Sequence, residues 1–97
     1  MGLVKVDKIR LLQKEGVVKA FCDVLIGEVY VVKGLRVISG SKGLFVGLPR
    51  EKGKNEKFYD IFYPITNEAR TELVTAVLAA YETAVKEGTD GKQNTSN

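Results

Sequence analysis

Five β-like runs joined by short glycine-bearing links, followed by one long segment of helical periodicity, predict an α+β fold. The expected architecture is a five-stranded twisted antiparallel β-sheet followed by one C-terminal α-helix, with residues 1–88 as a single domain. The first run, Leu3 to Gln13, alternates loosely, with Val4 and Val6 giving way to Ile9 and Leu11. The phase slips near Asp7 and Lys8, which reads as a bulge. Lys14-Glu15-Gly16 supplies a turn into Val17 to Ile26. Gly27-Glu28, glycine first as a type II′ turn prefers, leads into the β-branched run Val29 to Ile38.

Ser39-Gly40-Ser41-Lys42-Gly43 is a turn, with glycine free to take positive φ and serine able to bond its own backbone. Leu44 to Leu48 follows as a short strand stopped by Pro49, which has no N–H for a ladder. Residues 50–57 hold no apolar side chain and are expected to form an exposed loop. Phe58 to Tyr63 then resumes as the fifth strand, closed by Pro64.

Thr66 and Asn67 are both suitable N-caps, and Glu68 lies where the helix dipole favours an anion. Behind them Ala69, Leu73, Val77, Ala80 and Ala84 recur beside Val74, Leu78, Tyr81 and Val85, an amphipathic helix. Lys86 and Gly88 are stop signals, and Thr89 to Asn97 reads as a disordered polar tail.

One helix covers one face of a sheet, yet the strands are apolar on both. Val18, Ala20, Cys22, Val24 and Ile26 share one side of the second run, with Phe21 and Leu25 on the other. In the fifth, Phe58 and Phe62 oppose Tyr59, Ile61 and Tyr63. The surplus suggests a homodimer formed through strands or the uncovered face, against the alternative of a monomer with a curled sheet.

The 97-residue chain carries a net charge of +3, unevenly distributed. Residues 1–48 hold eight Lys/Arg against four Asp/Glu, and residues 61–97 hold three against five. With no histidine and one cysteine, a His/Cys zinc site within one chain and a His-based triad are both excluded. No cofactor, metal or catalytic residue is expected, and the protein reads as a non-enzyme. The N-terminus has no signal-like apolar region and no run approaches the ~20 residues of a membrane span, so a cytoplasmic protein without membrane insertion is expected.

Individual residues that could carry chemistry each have a plain structural reading. Cys22, in phase with Ala20 and Val24, reads as a buried small hydrophobe. Gly40-Ser41-Lys42-Gly43 lacks the P-loop order and is a hairpin turn. Asp60 is expected to cap a loop or pair with a lysine. Arg50, Lys52, Lys54 and Lys57, adjoined by Phe58 and Tyr59, combine charge for phosphates with rings for unpaired bases. Glu51 and Glu56 dilute that charge, and a solvated lysine-rich hairpin is the competing reading.

Gly34 to Pro49, with its glycine-framed Leu44-Phe45-Val46, and Phe58-Tyr-Asp-Ile-Phe-Tyr-Pro-Ile65 resemble the signature of the bacterial SpoVG (stage V sporulation protein G) family. The similarity runs from the first strand through Glu82. The resemblance implies a homodimer with a twisted sheet and a C-terminal helix. It also implies a DNA- and RNA-binding regulator of the septation and sporulation type, with septation-pathway proteins as further partners. The family's basic stretch after the proline maps onto Arg50, Glu51 and Lys52. Glu51 stands where a basic residue is common, Tyr59 where Arg is usual, and Tyr63 where His is usual. Lys54 and Lys57 offset that loss of positive charge. The implied nucleic-acid site is Arg50, Lys52, Lys54, Lys57 and Tyr59; a protein-interaction module in septum formation, using exposed aromatics and the helix face, is the alternative.

Overall fold

A computed structural model describes residues 2–12 and 15–88. Four strands form one antiparallel meander in chain order: β1 (Val4–Leu11), β2 (Val18–Ile26), β3 (Tyr30–Gly40) and β4 (Gly43–Gly47). A separate two-stranded ribbon follows, β5 (Arg50–Lys52) with β6 (Phe58–Asp60), and then the helix α1 (Asn67–Glu87). The α+β class, the antiparallel sheet and the single C-terminal helix are as the sequence predicts. The single five-stranded sheet is not: the expected fifth strand leaves the sheet and pairs with part of the expected loop.

The cause is local to Pro49. It is buried and has no N–H to continue a ladder beyond β4. Its carbonyl instead accepts from Ile61 N at 3.0 Å and closes the base of the ribbon. Arg50, Glu51 and Lys52 then pair with Asp60, Tyr59 and Phe58. The predicted run to Tyr63 stops at Asp60, and Phe62 turns in to pack against the core.

Inside the sheet, the bulge expected near Asp7 is present as a register shift between Val6 and Lys8. Two further shifts were not legible. One sets Val18 opposite Ile38 and Ala20 opposite Val37, so Val18 faces away from Ala20 rather than sharing its side. The other sets Cys22 opposite Leu35 and Val24 opposite Val32, with Gly34 at φ 94° in the displaced stretch. Gly27 and Glu28 both take positive φ, 62° and 65°, and Val29 N donates to Ile26 O at 3.2 Å. That is the type I′ pattern, not the expected type II′. The Ser41-Lys42 link between Gly40 and Gly43 is the predicted hairpin turn.

The helix begins and ends where its signals lie. Thr66 accepts from Ala69 N at 3.0 Å, and Gly88 closes the C-terminus in the left-handed region at φ 70°. Leu73, Val77 and Ala84 bury against Ile9, Ala20, Cys22, Val24, Leu35 and Val37. Glu72 of α1 also accepts from Val4 N at 3.0 Å, fixing the start of β1 to the helix. The core therefore lies on one face of the meander, and no helix among the described residues covers the other face. The expected tail, Thr89 to Asn97, lies outside the described residues, as do Gln13 at the end of the first run and Lys14 of the first turn.

Candidate nucleic-acid interface

The ribbon is built by a three-residue turn of a recognisable kind. Gly53 N donates to Lys57 O at 2.7 Å, and Glu56 N to Gly53 O at 3.2 Å, with Glu56 at φ 69°. This is a type I turn at Lys54-Asn55 followed by a left-handed residue, a common three-residue hairpin. Asn55 braces it: its side-chain oxygen accepts from Lys57 N at 3.1 Å and its amide donates to Tyr59 Oη at 2.8 Å. Gly53 lies against the Tyr59 ring, since a Cβ there would stand 2.8 Å from Cε2.

The register divides the predicted site. Arg50, Lys52, Phe58 and Asp60 share one face of the ribbon, while Glu51, Lys57 and Tyr59 share the other. Lys54 occupies the tip. Tyr59 is thus set apart from Arg50 and Lys52, its hydroxyl engaged in holding the turn and its ring lying against Gly53.

Charge is also partly committed. Arg50 Nε donates to Asp60 Oδ1 at 3.1 Å, and Lys52 pairs with Glu56 at 2.7 Å. Asp60 therefore pairs with an arginine, not with a lysine or a loop cap. Both pairs are exposed, and such pairs are worth under ~1 kcal/mol, so either cation can turn to a phosphate at small cost. Lys54 and Lys57 make no ion pair among the described residues.

Arg36 is a functional candidate that the sequence reading missed. It comes from β3, yet it lines an open groove of about 350 Å³ with Gly34, Arg50 and Phe58. Its Nη2 donates to Leu48 O at 3.1 Å, and its other guanidinium donors make no hydrogen bond among the described residues. No motif marks Arg36, because its proximity to Arg50 comes from the strand reversal at β4 and not from spacing.

The other candidates keep their structural readings. Cys22 is buried, and burial, then the neighbouring Asp23 charge, pushes its thiol up to about 12. Among the described residues no three His, Cys, Asp or Glu side chains converge, and no helix is long and apolar enough to cross a membrane.

Comparison with known proteins agrees with the signature residues. The SpoVG family profile matches residues 1–83. A protein of Archaeoglobus fulgidus bearing the SpoVG septation name is 39% identical over 82 residues, covering 82% of this chain and 96% of its own. One from Clostridium beijerinckii is 41% identical over 80 residues, covering 82% and 88%. A longer relative from Symbiobacterium thermophilum is 42% identical over 87 residues, covering 88% of this chain and 62% of its own. With the profile spanning nearly every described element, from β1 through most of α1, this chain belongs to the SpoVG family.

Proposed function

We propose that this protein is a homodimeric, cytoplasmic nucleic-acid-binding regulator of the septation and sporulation type, without catalytic activity, and that its ribbon makes the phosphate contacts. The observation that supports this most is the placement of Arg50, Lys52, Lys54 and Lys57 on a hairpin separate from the sheet, with Phe58 58% exposed beside Arg50 and Lys52. A projecting cationic hairpin reaches phosphates without disturbing the core, and an exposed ring adds stacking area. The septation in the names of the relatives supports that cellular process for this chain.

A dimer would bring eight ribbon cations to one nucleic acid. If half engage, log affinity on duplex DNA should fall with log salt at a slope of about −3 to −4, since each neutralised phosphate contributes about −0.9. Lys52→Gln with Lys54→Gln should weaken binding on all sequences and roughly halve that slope, measured by filter binding at several salt concentrations. Folding should change by less than ~0.5 kcal/mol, because both side chains are exposed. Unchanged affinity and slope in a folded double variant would exclude the ribbon.

A second reading is supported by Ile61, Tyr63 and Ile65, which are 60%, 58% and 86% exposed. So apolar a segment suits a protein partner in septum formation, and salt-insensitive capture of such a partner would favour that reading.

A further inference from the structure

The face of the sheet opposite α1 carries a cross-strand row that the ribbon does not account for. Arg10 stands opposite Phe21, Phe21 opposite Arg36, and Arg36 opposite Gly47, one residue from each strand at one level. Their neighbours Ile9, Ala20, Cys22, Leu35 and Val37 are buried under the helix, so the row points the other way.

Its geometry favours flat, open side chains. The Arg10 guanidinium lies 6.0 Å from the Phe21 ring centroid. Gly47 leaves space for Arg36 to lie across β4, since a Cβ there would stand 2.8 Å from Arg36 Nη2 and 2.7 Å from Ile38 Cδ1. Arg36 in turn lines the groove with Arg50 and Phe58, so the row continues into the ribbon. The sequence of groups is then Arg10, Phe21, Arg36, Arg50 and Phe58, arginines interleaved with rings. The row itself holds no carboxylate, and Asp23 on the same face stands opposite Lys8.

We infer that this row is a platform for an unpaired nucleic-acid strand, with bases stacking on Phe21 and Phe58 and phosphates taken by Arg10, Arg36 and Arg50. The inference rests on the nucleic-acid reading above and names its substrate class. Base faces are reachable only when bases are unstacked from a duplex, which is why rings on an open sheet select single strands. Arginine suits both tasks, binding phosphate through its fork and lying flat against rings. Arg10 and Arg36 with no acid between them are complementary to a polyanion, and the exposed Asp60 pair of Arg50 yields to a phosphate at small cost.

The test is fluorescence anisotropy with a labelled strand of about twelve nucleotides, within the span such surfaces accommodate, alone and annealed to its complement. Phe21→Leu should weaken single-strand binding at least about five-fold and leave duplex binding unchanged. Arg10→Gln and Arg36→Gln should each flatten the single-strand salt slope by about 0.7. Should Phe21→Leu melt early by circular dichroism, Arg10→Gln, exposed at the edge strand, carries the test. Wild-type single-strand affinity in Phe21→Leu and Arg36→Gln, with weakened binding in the Lys52/Lys54 variant, would overturn the platform and leave the ribbon standing. Failure of the native protein to bind any nucleic acid would overturn the functional proposal and the platform with it. If Phe21→Leu changes the mass in light scattering but not the affinity, a second copy covers this face and the platform is wrong.

Discussion

Cys22 shows how one residue's setting decides its chemistry. It lies on β2 between Ala20 and Val24, almost without solvent contact, and its Sγ approaches only its neighbour's carbonyl, Asp23 O, at 3.8 Å. A thiol raised to about 12 stays protonated through neutral pH and is a poor nucleophile. In the native protein a thiol-specific disulfide reagent at pH 8 should therefore react only as fast as the chain unfolds. The same shift has a stability consequence. Below pH 9, the ordinary value for the thiol, folded and unfolded chains are both protonated and the full stability is present. Between pH 9 and about 12 only the unfolded thiol ionises, so stability should fall as pH rises through that window. Cys22→Ser melts that lose this alkaline dependence would confirm the source; an unchanged dependence would assign it elsewhere. Glu28 is the contrasting case: a hydrogen bond from Lys5, then the lysine's charge, lowers its carboxyl, but the pair is fully in solvent and contributes little.

At the scale of elements, the helix was legible nearly to the residue. Its cap, apolar spacing and C-terminal glycine all act within one or two turns, so no distant partner is needed to read them. Thr66→Ala should cost about 1 kcal/mol by removing the acceptor for Ala69 N, with Thr66→Ser recovering most of it in urea melts. Equal stability in all three proteins would show that Thr66 does not cap in solution. The ribbon was not legible. Its three-residue turn could have been suspected from Gly53 and Asn55, but pairing Arg50–Lys52 with Phe58–Asp60 removes a strand from the sheet, and composition alone made residues 50–57 a loop. Glu56 in the left-handed region gives no sequence signal, because that position usually belongs to glycine.

For the whole molecule, the question is what covers its remaining apolar surface. Ile61, Tyr63 and Ile65 form an exposed run after the ribbon, distinct from the Arg10–Phe21–Arg36 row and from Phe58. If a second copy covers this run, light scattering at micromolar concentration should give about twice 10.7 kDa. Replacing Ile61 and Ile65 together by Asp should return the mass to that of one chain while the circular dichroism stays native, since both side chains are outside the core. A native protein already at the single-chain mass would remove the dimer from the functional proposal. It would also halve the cations available to one nucleic acid.

The amino-acid order alone determined the kinds of elements, most of their limits, the bulge near Asp7, the burial of Cys22 and the family resemblance. Each depends on alternation, capping or turn chemistry among residues a few positions apart. It also picked out Arg50, Lys52, Lys54, Lys57 and Tyr59, because cations beside aromatics are visible in a linear string. Tertiary structure decided that Tyr59 faces away from Arg50 and Lys52, that Asp60 holds Arg50, and that Arg36 from β3 joins them at one groove. It also aligned Arg10, Phe21 and Arg36 across three strands. Those facts follow from strand register, and register is set where the chain meets itself: a one-residue shift in pairing exchanges the faces of every side chain beyond it. Three such shifts occur in this sheet, and they decide which residues meet solvent together.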